Sequence, residues 1–232
     1  MMADMNLWEQ LLYYFSENGL YIWSQFFRHF LISIYGVLFA AIVGIPLGFW
    51  ISRHGKLADW VIGAANVIQT IPSLAMLSIL MLGLGLGVNT VVSTVFLYSL
   101  LPIIKNTYAG VQSVDKNILD SGKGMGMTRW QLTYMIELPL ALSIIMAGIR
   151  NAMVVGIGVT AIGTFIGAGG LGDIITRGVN VTDGGAIILA GAIPTAFMAI
   201  ISDLLLGWIE KKLDPTKGKN YYRNNQTWIK SI

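Results

Sequence analysis

Catalysis needs nucleophiles, bases and ligands at workable spacings, and this 232-residue sequence supplies few of them. Cys is absent, which removes thiolate nucleophiles, thiolate metal sites and disulfides together. His29 and His54 are the only histidines and stand 25 positions apart, so no metal site is expected. No G-x-S-x-G elbow accompanies the Ser, His and Asp residues, and hydrolysis by this chain is not expected either. Residues 167–172, GAGGLG, carry the letters of G-x-G-x-x-G, but that pattern cradles a dinucleotide only between a strand and a helix. Here it follows a long apolar run, where its glycines suit a sharp bend of the chain. No G-x-x-x-x-G-K-[ST] phosphate loop occurs, so any ATP that serves this protein must be bound by another chain.

What remains is polar chemistry inside apolar runs. Arg150 and Asn151 follow Pro139 by roughly 11 residues, about 16 Å along a helix. A guanidinium at that depth must face protein, water or a counter-charge. Two readings stand level: a wall of a polar pathway or bistable contact, and a tie between helices or subunits. Asp203 is a possible counter-charge near the end of the last apolar run. Gln69, Thr70, Pro72 and Ser73 interrupt another run; a break there either exposes polar backbone to a pathway or only adjusts packing.

The elements that must position these residues are membrane helices. Hydrophobic residues make up 55% of the chain and charged residues 12%, about half the charged share of soluble domains. The mean hydropathy of +0.67 agrees and argues against a soluble enzyme. The net charge of +3 forms no basic stripe beside stacking aromatics, which argues against nucleic acid. About 20 apolar residues span a bilayer as a helix. Five such runs appear, near 30–51, 60–83 (broken at Pro72), 88–104, 138–165 and 186–209, and none alternates with a strand period. If five spans alternate, twelve of the 15 Lys and Arg lie on one side, which places the N-terminus outside and the C-terminus in the cytoplasm. A six-span arrangement, with the Pro72 run as a hairpin, divides those charges and is less favoured. The opening residues do not resemble a cleavable signal peptide. Gly36, Ala40, Gly44 and Gly48 recur every four residues and offer one helix face for close packing.

The largest inside segment, 105–137, mixes apolar and polar positions and predicts one or two short amphipathic helices at the cytoplasmic surface. Within it, Asp120-Ser121-Gly122, three residues, Gly126, nine residues, then Ile136, Leu138 and Pro139 resemble E-A-A-x3-G-x9-I-x-L-P, the cytoplasmic loop of ABC-importer permeases. The opening triplet departs from the pattern, although Asp keeps the acid and Ser and Gly stay small. Over roughly residues 21–213, strings such as NVIQTIPSLAMLSIL and ELPLALSIIMAGIRNA are similar to permeases for osmoprotectants. That family imports quaternary ammonium solutes such as glycine betaine, carnitine and choline, and its carnitine and choline branch often uses two non-identical permeases.

The resemblance implies an all-α integral membrane protein of about five transmembrane helices with a cytoplasmic coupling helix, the type I ABC-importer permease fold. Residues 1–29 form an extracellular N-terminal segment, 30–213 the permease domain with its coupling loop at about 111–139, and 214–232 a basic cytoplasmic tail. Asp120, Ser121, Gly122, Met125, Gly126, Met127, Thr128, Arg129, Ile136, Leu138 and Pro139 form the ATPase-coupling set. Gly126 allows close backbone approach, Met125 and Met127 give adaptable apolar contacts, and Pro139 suits the first turn of the next span. Gln69, Thr70, Pro72, Ser73, Arg150 and Asn151 are candidates for the pathway or its gating. The chain binds no cofactor; ATP and Mg belong to the partner ATPase. Its partners are two ATPase subunits, a second homologous permease chain, an extracellular substrate-binding protein and the lipid bilayer. A permease for another small solute such as an amino acid, and an ion-coupled secondary carrier, are the alternatives.

Overall fold

A computed structural model describes residues 6–213; the basic tail at 214–232 lies outside the described residues. Those residues are helical throughout, with no strand among them: α1 (Leu7–Ile51), α2 (Gly55–Thr70), α3 (Ser73–Leu84), α4 (Val88–Gln112), α5 (Lys116–Gly124), α6 (Arg129–Leu132), a π turn (Thr133–Glu137), α7 (Leu138–Ile162), a 3-10 turn (Gly163–Ile166), α8 (Leu171–Val179) and α9 (Gly185–Leu213). By length and composition α1, α4, α9 and the run Arg129–Ile166 can each cross a membrane.

Two expectations change. The first helix starts at Leu7, well before residue 30, because Asn6 and Glu9 close a capping box and the aromatic-rich residues that follow continue the helix. Its 45 residues bend at Asn18 and run for about 68 Å, more than twice the hydrocarbon thickness of a bilayer. The second expected span is not straight: α2 and α3 meet at 98°, so they count as a fifth span only as a broken one. Pro72 supplies no N–H and holds extended backbone just before α3, which turns the chain there.

The stripe of small residues does bring helices together. Gly36, Ala40, Gly44 and Gly48 are all buried, and α1 lies against α4 along them. A Cβ on Gly36 would sit 2.4 Å from Val95 Cγ1, and one on Gly48 2.6 Å from Thr107 Cβ. Around this contact Ile32, Val37, Val95, Ile157, Leu171 and Ile174 join α1, α4, α7 and α8 in one apolar core. Gly36→Leu is therefore expected to lower stability in detergent by about 1–3 kcal/mol through overpacking. Gly19→Ala, which meets nothing within 4 Å, is expected to leave the thermal midpoint within about a degree of wild type in the same assay.

A buried polar network pins the connection between α7 and α8 to α1. His29 is fully buried. Its Nδ1 accepts from the Leu171 N–H at 3.2 Å, so Nε2 carries the proton and donates to the Ile157 carbonyl at 2.9 Å. Gln25 Oε1 accepts from the Gly170 N–H at 2.6 Å. The intervening bend uses positive φ at Gly167, Gly169 and Gly170, which accounts for this glycine string without a nucleotide.

Candidate functional site

The residues expected to form the coupling loop fold into one small unit. α5 ends at Gly124, and the next residues close a Schellman motif: the Gly126 N–H donates to the Lys123 carbonyl at 2.9 Å and the Met127 N–H to the Gly122 carbonyl at 3.1 Å. Gly126 sits at φ +80 with nothing within 4 Å of a Cβ, so within this chain its lack of a side chain serves backbone conformation. Thr128 then caps α6 in a box with Gln131.

The motif divides into two faces. Gly122 is buried, and a Cβ there would lie 2.7 Å from Leu132, 2.8 Å from Ile136 and 3.2 Å from the Met127 sulfur. These side chains hold α5 onto α6 and the π turn. Asp120, Ser121, Met125, Gly126, Thr128 and Arg129 face outward, and Met125 is 76% exposed. Met127, Ile136, Leu138 and Pro139 are half-buried.

Pro139 stands in the first turn of α7, as expected, but that helix does not start from a free end. The helical run is continuous from Arg129 through Ile166, and Pro139 stands directly after the π turn. The Leu138 N–H reaches back to the Thr133 carbonyl in the wider register, so the helix continues past a residue that lacks an N–H. The part of the motif from Arg129 onward is thereby the first stretch of a 38-residue helical run.

That end is also clamped to α1. Just after α1, Arg53 donates to Glu137 Oε2 at 2.8 Å and to Thr133, and the last residue of α4, Gln112, separately donates through Nε2 to the Ser52 carbonyl at 2.7 Å. Glu137 is buried. Neither Arg53 nor Glu137 was expected from the sequence as a site residue. They are separated by 84 positions, and only the acid's place next to Leu138-Pro139 hinted at a role.

Arg150 and Asn151 point to different neighbours. Arg150 grips Asp203 of α9 bidentately, Nε to Oδ1 and Nη2 to Oδ2 at 2.8 Å each, and Nη1 reaches Glu210 Oε2 at 3.2 Å. Ser143 donates to the other Glu210 oxygen at 2.6 Å. The fork geometry makes these strong hydrogen bonds and ties α7 to α9. Glu210 and Ser143 were missed by sequence reasoning, although Asp203, Gly207 and Glu210 share one helix face at seven-residue reach. Gly207 leaves room for the guanidinium, since a Cβ would meet Nη1 at 3.3 Å.

Asn151 instead lines a cavity of about 430 Å³ with Gln69, Lys105 and Asn106. The cavity lies beside the break in the α2–α3 pair. There Gln69 Nε2 donates to the Tyr98 carbonyl at 2.9 Å, and the Tyr98 hydroxyl donates to the Ile71 carbonyl exposed by the bend. Thr70 turns back onto the Val67 carbonyl at 2.7 Å, and Ser73 begins α3. Of the six pathway candidates, Gln69 and Asn151 therefore meet on one cavity, Thr70, Pro72 and Ser73 shape the bend, and Arg150 faces α9. Among the described residues no three His, Asp or Glu side chains gather as metal ligands.

Comparisons with known proteins agree with this architecture. The family described as "Binding-protein-dependent transport system inner membrane component" matches residues 36–215. The carnitine transport permease protein OpuCD of Listeria monocytogenes serotype 1/2a (strain 10403S) is 65% identical over 93% of this chain and 96% of its own length. The glycine betaine/carnitine/choline transport system permease protein OpuCD of Bacillus subtilis (strain 168) is 63% identical over 93% of this chain and 94% of its own. An inward-facing structure of the MetNI methionine ABC transporter superposes with a TM-score of 0.74 at 16% identity, covering 83% of this chain and 95% of that one. At that identity the likeness establishes the fold, that of type I ABC-importer permeases, and nothing about substrate.

Proposed function

The chain belongs to the family of binding-protein-dependent transport system inner membrane components, and on that premise we propose that it carries quaternary ammonium osmoprotectants (glycine betaine, carnitine, choline) into the cell. It is a multi-pass permease subunit of an ABC importer, not an enzyme, and ATP hydrolysis belongs to a separate ATPase. The observation that carries the substrate class is identity above 60% to carnitine and glycine betaine/carnitine/choline permeases across nearly the whole chain. An amino-acid solute and an ion-coupled carrier have no comparable support.

In this reading two ATPase subunits hold ATP and Mg, an extracellular binding protein delivers the solute, and a second, similar permease closes the pathway. The N-terminus faces outside and the C-terminus the cytoplasm, as the distribution of Lys and Arg favours. The outward face of the coupling unit, with Asp120, Ser121, Met125 and Arg129, sits on the ATPase. The buried side, with Gly122, Met127 and Ile136, keeps that face rigid. Closure of the ATPase dimer around ATP pushes the unit, and the continuous helix from Arg129 and the Arg53–Glu137 clamp pass the movement to α7 and α1.

The test is uptake in cells lacking other osmoprotectant importers and expressing this chain with its ATPase, binding protein and any second permease. Labelled carnitine, glycine betaine or choline is expected to accumulate only with ATP and all subunits present, and labelled methionine is not. Methionine uptake without uptake of any quaternary amine would overturn the substrate class. Uptake driven by an ion gradient without the ATPase would overturn the mechanism.

A further inference from the structure

The cavity beside the α2–α3 break has a one-sided chemistry. Its polar wall is Gln69 of α2, Lys105 and Asn106 of α4 and Asn151 of α7, and no Asp, Glu or aromatic residue lines it. Asn106 Nδ2 donates to the Pro102 carbonyl at 2.7 Å and Gln69 Nε2 to Tyr98, so each amide keeps one further N–H. The side chains of Lys105 and Asn151 are exposed and make no hydrogen bond or ion pair within the described residues. The cavity therefore offers an ammonium and several amide donors. It lacks the carboxylates and aromatic faces that would hold a quaternary ammonium group.

We propose that this cavity is a carboxylate subsite on the translocation pathway, with Lys105 its charged contact and Asn151 a supporting donor. The inference rests on the osmoprotectant reading above. It adds that the zwitterions glycine betaine and carnitine meet Lys105 through their carboxylates, whereas choline, an alcohol, does not. Lys105 is thus a residue that separates solutes within the class. A charge-assisted hydrogen bond to a carboxylate is stronger than a neutral one, so its loss falls selectively on carboxylate-bearing solutes.

The complete importer is reconstituted in vesicles with its ATPase and with binding protein saturated by each solute, so that differences arise after capture. In Lys105→Met the ratio of carnitine to choline uptake is expected to fall at least about tenfold. Lys105→Arg keeps the charge and is expected to hold the ratio within about twofold of wild type. Asn151→Leu is expected to lower the ratio by roughly threefold, and it stands in if Lys105→Met does not reach the membrane. An unchanged ratio in Lys105→Met, or equal loss of both solutes, overturns the subsite. Wild-type uptake of choline but of no carboxylate-bearing solute overturns the subsite and leaves the importer reading standing. Wild-type uptake of no quaternary amine, with the ATPase bound, removes the substrate reading and the subsite with it.

Discussion

Gly126→Val is expected to leave the chain folded in the membrane while cutting ATP-driven uptake to below about a tenth of wild type. The φ of +80 at this position costs a β-branched residue on the order of 1–3 kcal/mol, and the strain falls on the turn that joins α5 to α6. The turn relaxes by releasing the Gly126–Lys123 and Met127–Gly122 hydrogen bonds, and Met127 then leaves the pocket beside Gly122. The outward face formed by Asp120, Ser121, Met125 and Arg129 is no longer presented as one surface. Gly126→Asn is the discriminating control, because Asn tolerates the left-handed region. It is expected to retain most uptake and to co-purify with the ATPase. Wild-type uptake by Gly126→Val would show that the turn geometry is not needed for coupling.

Arg150→Ala is expected to destabilise the solubilised chain by about 1.5–3 kcal/mol, the range for losing charge-assisted hydrogen bonds, because the pair is only partly buried and Asp203 is 39% exposed. The loss leaves Asp203 and Glu210 as neighbouring carboxylates on α9 without a cation, Glu210 keeping only its bond from Ser143. Arg150→Lys keeps the charge but not the fork, and a loss of about 1 kcal/mol is expected. Arg177→Ala is expected to cost less than about 1 kcal/mol, because its bond to Asp173 at 2.9 Å lies near the surface. Thermal unfolding in detergent orders these variants. The triple change Arg150→Met, Asp203→Leu and Glu210→Leu separates a structural tie from a transport role. Apolar replacement of a whole ion cluster often restores stability. Restored stability with restored uptake marks the cluster as a tie between α7 and α9; restored stability without uptake marks its charges as part of the transport cycle.

The features legible in the sequence were those written in local periodicity. Apolar runs located α4, α7 and α9, the four-residue stripe located the α1–α4 seam, and the spaced loop motif located a compact unit at 116–137. Arg150 drew attention to Asp203 because a guanidinium within a span needs a counter-charge. The rest depended on long-range geometry or on competing local signals. Glu9, Glu17 and Asn18 diluted the hydropathy of residues 7–29 and hid the early start of α1, although Asn6 and Glu9 spelled a capping box. Pro72 marked a break but carried no angle. Pro139 marked the first turn of α7, but the π turn that joins α7 to α6 leaves no spacing signature. The Arg53–Glu137 clamp and the Ser143–Glu210 bond join residues 84 and 67 positions apart, beyond any local pattern. His29, unpromising as a metal ligand, proved to be a hydrogen-bond hub that neither its neighbours nor its spacing announced.

The loop around Gly126 is expected to drive this chain by contact with an ATPase, and a sequence without cysteine allows a direct test. Met125→Cys places one thiol at the exposed turn between α5 and α6, and a short bifunctional thiol reagent is applied to membranes that contain the ATPase with single cysteines along its surface. A cross-link from position 125 to the ATPase is expected, with a yield that changes between the nucleotide-free and ATP-bound states. A transport-active importer in which position 125 never cross-links to the ATPase in either state would contradict it.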